Sequence, residues 1–365
     1  MVYPNIISQK RVKDLLTQVF INKKIPHCLL FLGDKGSQNV DMAHEFAMTI
    51  LCDNPNEQYC GKCESCRLSS SKTHPDFLTL KPSGKIRQMK KEAVSDFIKF
   101  LNFKSYRGGY KVVVIEDCDR LSDSSANALL KSLEEPPGYS VIILTTNQLS
   151  NLLPTIISRC QLIEFLPLRE EEILEYVEKQ AISQIPPELM VKLSAGHVGN
   201  ISGEIFENLM VCRNIAFSII EDWMERGNIG IIEGAEKIND FLESEKKVLE
   251  KEITGEIKQL KEESAEFKKR KEEELNANVS GILKDKLDSI LQVFSDFFRD
   301  VLLIKENVNQ EFLKNIDKTE IINKVAFKLN HIDDRIQHLD LIRRRLQGTV
   351  NQKLALEALF LKLFS

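Results

Sequence analysis

Over the first 165 residues, short and nearly continuous apolar runs alternate with stretches of helical periodicity. Leu29 to Leu32, Phe77 to Leu80, Val112 to Ile115, Val141 to Leu144 and Gln161 to Phe165 have the length of strands. The most uniformly apolar of them suit strands covered on both faces. Between them, Val12, Leu15, Leu16 and Val19, then Val94, Phe97, Ile98 and Leu101 within 93–103, then Leu129, Leu130 and Leu133 recur at helical spacing. Ser124 or Ser125 is placed to cap the last of these helices, and Pro136-Pro137-Gly138 forbids its continuation. This alternation predicts an α/β module, a parallel sheet with helices on both faces.

From Pro167 onward the pattern is helical throughout. Between Glu243 and Glu274, 11 acidic and 9 basic residues surround a thin stripe of Leu249, Ile253, Ile257, Leu260 and Phe267. One long projecting helix is the expectation, its stripe left to solvent or covered by a short coiled coil or a partner helix. Leu283, Leu287, Ile290, Leu291, Phe294, Phe297, Phe298, Val301 and Leu302 then keep a broad apolar face. Arg343, Arg344 and Arg345 point in three directions round their helix and make no single basic patch.

Composition narrows this picture. A chain of 365 residues with 42% hydrophobic residues has material for two or three domains. Its net charge of −4 gives no general attraction to nucleic acid or to anionic membrane, so any DNA contact must be local. Lys81, Lys85, Arg87, Lys90 and Lys91 are either such a contact or a solvated face. No uncharged apolar run reaches 18 residues, and the opening MVYPNIISQKRVKDLL lacks the basic-then-apolar plan of a signal peptide. The expectation is a cytoplasmic protein without a membrane span, its eight cysteines reduced unless a metal holds them.

Three stretches carry candidate chemistry. Gly33-Asp34-Lys35-Gly36-Ser37-Gln38-Asn39-Val40 follows a strand and opens a helix, where a phosphate-binding loop would read G-x-x-x-x-G-K-[ST]. Gln38, Asn39 and Val40 stand in place of the last glycine, the lysine and the hydroxyl residue, and Lys35 comes four positions too early to substitute. The second stretch is a pair of strand ends carrying Glu116-Asp117 and Thr146-Asn147, at the sheet edge where ligands of such folds bind. The third is Cys52 with Cys60, Cys63 and Cys66: two C-x-x-C steps and a fourth thiol suit a closed, structural zinc site of four cysteines, with an iron–sulfur cluster or bare thiols as alternatives. Cys28, Cys118, Cys160 and Cys212 read as isolated packed side chains. His27 and His74, each beside a proline, have no adjacent nucleophile or ligand in sequence.

Over twenty residues in fixed order, ANALLKSLEEPP followed by LLPTIISRC, closely resemble the AAA+ subunits of the bacterial replicative clamp loader. The resemblance implies an AAA+ module over 1–166 with the zinc insertion at 52–66, a small helical lid over 167–208, and a helical collar over 209–365 carrying the charged insertion 243–275. Glu116-Asp117 then takes the Walker-B place and Thr146-Asn147 the sensor-1 place, while Asn200 or Ile201 stands where an active relative has its sensor-2 arginine; no arginine occurs between Arg169 and Arg213. The family's motor pattern at the acidic pair is Asp then Glu, and the order here is reversed. A zinc module combined with ruined nucleotide motifs resembles the family's non-hydrolysing stator type. It implies no ATP binding or hydrolysis, and a role for Arg159 of the motif Ser158-Arg159-Cys160 as an arginine finger toward a neighbour's ATP site. Implied partners are tau/gamma and delta subunits, with the sliding clamp and primed DNA reached through the complex. The alternative within the family is a divergent ATP-binding tau/gamma-type motor; outside it, a zinc-dependent nucleic-acid-binding module.

Overall fold

The computed structural model describes residues 3–7, 9–82, 89, 91–180, 185–259, 265–346 and 352–364. Most of the basic stretch between Lys81 and Lys91 lies outside them. The chain forms two compact units, one made of the described residues up to Glu175 together with Gly196–Gly199, the other of those in 176–195 and 200–365.

In the first unit the order is α1 (Lys10–Ile21), β1 (Cys28–Gly33), α2 (Asn39–Leu51), α3 (Glu64–Ser70), β2 (Phe77–Leu80), α4 (Lys91–Asn102), β3 (Lys111–Ile115), α5 (Asp123–Glu134), β4 (Ser140–Thr146), α6 (Pro154–Ile157) and β5 (Gln161–Phe165). The five strands lie in the order β2-β3-β4-β1-β5 and pair in parallel throughout. Alternate residues of each central strand feed two different cores. Val112 and Val114 join Leu29, Phe31 and Phe46, whereas Val113 and Ile115 join Leu30, Phe97, Leu129 and Leu133. That two-sided burial is why β3 and β4 are apolar at every central position.

The cap of α5 differs from the sequence expectation. Ser122, not Ser124 or Ser125, holds the extended backbone an N-cap requires, and its side chain accepts from the Ser125 amide. Ser125 is buried in the first turn, with its hydroxyl donated to the Met89 carbonyl at 3.1 Å.

The chain continues as α7 (Glu170–Gln180), α8 (Pro187–Ser194), α9 (Gly203–Arg226), α10 (Asn228–Gln259), α11 (Ala265–Lys305), α12 (Thr319–Lys328), α13 (Ile332–Leu346) and α14 (Gln352–Phe364). Phe217, Trp223, Phe294, Phe297, Phe298, Phe360 and Phe364 share one core in the second unit. The described parts of the charged stretch are the end of α10 and the start of α11, with 260–264 outside the described residues, and the Lys286–Glu245 pair sets the two helices side by side where composition suggested one projecting helix. Leu242 and Leu287 join the same core, Lys286 pairs with Glu245, and Ile253 is buried, so part of the stripe is covered within the chain. Ile257, Leu260 and Phe267 lie outside what is described of the side chains. Arg343 is spent internally: its guanidinium meets both carboxylate oxygens of Asp288, at 2.9 and 2.8 Å, tying α13 to α11.

Candidate functional site

The turn between β1 and α2 has the place of a phosphate loop and a different interior. Asn39, where the lysine would stand, is buried; its amide lies 3.4, 3.3 and 3.3 Å from the carbonyl oxygens of Phe31, Gly33 and Thr146. It therefore braces the ends of β1 and β4 instead of reaching outward. Gln38 holds left-handed backbone at φ 64° and is turned away from the loop, accepting from the Ile7 amide at 2.7 Å and donating to the Asn5 carbonyl at 3.1 Å. The Ser37 hydroxyl packs over Gly33, where an added Cβ would lie 2.2 Å from its oxygen. From the other side the Gly199 amide donates to the Gly36 carbonyl at 3.2 Å, and a Cβ at Gly199 would stand 2.6 Å from that oxygen. Backbone thus occupies space over the loop. His197, buried beside it, lies 3.6 Å from the carboxylate of Asp34; burial pushes its pKa down. Lys35 is exposed, and Val40, in the first turn of α2, has its amide bonded to the Asn39 side chain.

The acidic pair is also committed. Glu116 is buried, 2.7 Å from His44 Nε2 and 2.9 Å from Lys81 Nζ. Burial alone would raise its carboxyl, but the hydrogen bonds from His44 and Lys81 outweigh it and hold the group below the ordinary glutamate value. Asp117 takes left-handed backbone, φ 49°, and turns the chain away into a short 3-10 segment. Thr146 donates to Asp119 at 2.9 Å, while Asn147 is exposed. Asn200, at the sensor-2-like place, donates to the Ser194 carbonyl at 2.9 Å, and Ile201 is buried.

The four cysteines separated by up to 14 positions come together. The sulfurs of Cys52, Cys60, Cys63 and Cys66 all lie within 4.8 Å of one another, a donor set able to hold one metal ion. Backbone amides of Cys60, Cys63 and Cys66 donate to the sulfurs of Cys52, Cys60 and Cys63 at 3.3, 3.4 and 3.4 Å. The amides of Lys62 and Cys63 lower the Cys60 thiol to about 6. The knuckle is fastened to the sheet: Ser65 donates to Asp53 at 2.8 Å and contacts His74 at 3.3 Å, His74 accepts from the Asp76 amide, and the buried Asp76 carboxylate accepts from the amides of Tyr106 and Arg107 at 2.7 and 2.9 Å. His74 is a structural link here; burial lowers its pKa. Nothing in the sequence spacing pointed to this chain of contacts.

Arg159 follows the single-turn helix α6, just before β5. Its guanidinium pairs with Glu134 at the end of α5 and donates to the Thr155 carbonyl at 2.9 Å, half-exposed beside Ser158. Arg159, Ser158 and Glu134 line a hollow with His27 and Leu133, open to solvent and about 530 Å³ in volume. An arginine at this place can pair with a carboxylate of its own surface, and Glu134 is that carboxylate. Cys28 and Cys160 are not isolated, as their 132-residue separation suggested: their sulfurs are 2.6 Å apart, brought together by the pairing of β1 with β5. Cys118 and Cys212 are buried as expected.

The parallel sheet, the strand-turn-helix loop, the four-thiol knuckle and the S-R-C turn occur together in the first unit, and this part of the chain is similar to known DNA polymerase III subunits. Residues 8–169 match the family described as "DNA polymerase III, delta subunit" and residues 257–364 the one described as "DNA polymerase III, delta subunit, C terminal". The chain is 39% identical over 135 residues to DNA polymerase III subunit delta' of Pseudomonas aeruginosa, covering 37% of this chain and 41% of that protein. It is 31% identical over 211 residues to the delta' subunit of Bacillus subtilis, covering 58% and 61%. To the tau subunit of Bacillus subtilis it is 28% identical over 178 residues, covering 48% and 31%. The chain is a relative of the delta' subunits of DNA polymerase III, of whose length the alignments span about two fifths to three fifths.

Proposed function

We propose that this chain is a non-hydrolysing, stator-type delta' subunit of a clamp-loader complex, working in the cytoplasm with tau/gamma and delta subunits to load a sliding clamp on primed DNA. The observation that carries the reading is Asn39: in place of a phosphate-binding lysine stands a buried amide already bonded to three carbonyls. Lys81 pairs with Glu116 and His44 hydrogen-bonds it, so the carboxylate of the Walker-B-like pair that lies on the strand end is engaged within the chain. Neither Asn39 nor Val40 offers the ammonium and hydroxyl that the P-loop lysine and Ser/Thr bring to the phosphates and Mg²⁺. The chemistry of the complex would then rest on its neighbours, to whose ATP site this chain supplies the Arg159 guanidinium. Its fork of donors suits charge developing on transferring phosphoryl oxygens. Release from Glu134 would be part of engagement.

Cys52, Cys60, Cys63 and Cys66 would hold one Zn²⁺. Four thiolates fill its tetrahedral shell, leaving no open position for a substrate or water, and so the ion would be structural. No helix among the described residues is long and apolar enough to cross a membrane.

The test is co-expression with tau/gamma and delta subunits, the assembly weighed by native mass spectrometry, beside equilibrium binding of a labelled ATP analogue with Mg²⁺ to the isolated chain. Incorporation into the complex and no low-micromolar ATP binding are expected. A chain that stays outside the complex, or binds ATP tightly by itself, would overturn the reading.

A further inference from the structure

The Cys28 and Cys160 sulfurs lie 2.6 Å apart in the core under α5 and α6. Leu29 is in register with Gln161 on the parallel pair β1 and β5, and one step back along each chain Cys28 faces Cys160. Neighbouring strands run about 4.8 Å apart. That spacing lies within the Cα separation a disulfide spans, roughly 4.4–6.8 Å. Both side chains turn to the same face of the sheet. The sulfur separation and the generic spacing of paired strands both suit a disulfide between the two cysteines.

We propose that Cys28 and Cys160 form a redox-responsive dithiol, closed to a disulfide by a small disulfide oxidant such as glutathione disulfide. The two thiols differ in access: Cys28 is 1% exposed, whereas Cys160 is partly open to solvent. Contact with Cys160 and burial hold the Cys28 thiol protonated, so Cys160 is the sulfur that reacts first. It gives up its proton to solvent and attacks one sulfur of glutathione disulfide; the S–S bond breaks and one glutathione thiolate leaves. Cys28 then attacks the Cys160 sulfur of the mixed disulfide, its proton passing to the second departing glutathione. Two protein thiols are oxidised by two electrons, and one glutathione disulfide is reduced to two glutathione thiols. The closed bond would tie the residue next to Arg159 covalently to the start of β1. The pair is set by sheet register and does not depend on the role proposed for Arg159.

Full-length, zinc-loaded chain incubated with glutathione disulfide, then alkylated without reduction, digested and mapped by mass spectrometry, tests the assignment. A linked peptide pair containing Cys28 and Cys160 is expected, lost on treatment with reductant. It should be absent from Cys28→Ala and from Cys160→Ala, two variants chosen so that misfolding of one leaves the other informative, and retained in Cys118→Ala. Recovery of both cysteines alkylated, a glutathione adduct on Cys160 that never resolves, or a link from either residue to the nearby buried Cys118 would each overturn it.

Discussion

The side-chain amide of Asn39 donates to the carbonyl oxygen of Thr146 at 3.3 Å, while also facing the carbonyls of Phe31 and Gly33, so the residue in the lysine's place clasps two neighbouring strand ends. Removing it takes away the side-chain donor that links the two strand ends. Asn39→Ala should therefore cost about 1–3 kcal/mol of stability, the net worth of roughly two hydrogen bonds from the two-hydrogen amide. Asn39→Lys should also destabilise, because the backbone of Gly199 lies against the loop and the ammonium would enter a space already filled. Urea unfolding and ATP-analogue binding check both variants; tight, Mg²⁺-dependent binding by Asn39→Lys would show that only the lysine was missing.

The thiol cluster predicts one zinc per chain by elemental analysis. Cys63→Ser combined with Cys66→Ser should abolish it and loosen the knuckle, since little apolar core stands behind the four sulfurs. The disturbance should travel along Asp53, Ser65, His74 and Asp76, so amide exchange at Tyr106 and Arg107 should rise. Strands β1, β3 and β4 should keep their protection. Iron with visible absorbance, or unchanged metal content in the double variant, would count against zinc.

Acid should weaken the first unit through His197. Its folded pKa lies below the ordinary 6.5 because burial disfavours the charged ring, against a smaller opposing pull from Asp34. The unfolded chain thus takes up the proton more readily. This contribution is fully present above the unfolded value of 6.5 and is lost as pH falls from there through the lower, folded one. Thermal melts from pH 7.5 to 5.5 should show a falling midpoint, and His197→Gln should show a shallower fall. An unchanged slope in that variant would assign the acid sensitivity elsewhere.

Legibility in the sequence followed how local each signal is. The central strands β1, β3 and β4 were readable because two-sided burial forces apolar residues at consecutive positions, β2 and β5 because their apolar runs have strand length, and the knuckle because its ligands sit within 15 residues. The cap of α5 was misplaced by two or three positions, since Ser122, Ser124 and Ser125 are chemically alike and only backbone conformation chooses among them. That α10 and α11 lie side by side was hidden because mixed charges favour helix along the whole charged stretch. Contacts across the sheet were beyond reach: Asn39 with Thr146 spans 107 positions and Cys28 with Cys160 spans 132, and neither local periodicity nor motif spacing encodes strand order. Glu134 beside Arg159 was hidden in the same way, 25 positions apart on separate elements.

That pair frames the remaining expectation. Arg159 and Glu134 form a half-exposed ion pair, and such pairs contribute roughly 0–1 kcal/mol. Arg159→Ala should consequently leave the melting midpoint of the chain and its assembly with partner subunits nearly unchanged. If the guanidinium serves a neighbour's ATP site, the same substitution should lower clamp- and DNA-stimulated turnover of the complex by about 10³-fold or more. Arg159→Lys separates charge from geometry: it keeps the positive charge and loses the planar fork, so it should restore little of the rate. A purely local role for the ion pair makes the opposite forecast, with Arg159→Ala and Glu134→Gln both shifting stability slightly and neither changing turnover. Steady-state ATP hydrolysis by complexes carrying each variant decides between them, and wild-type turnover with Arg159→Ala would end the case for action in trans.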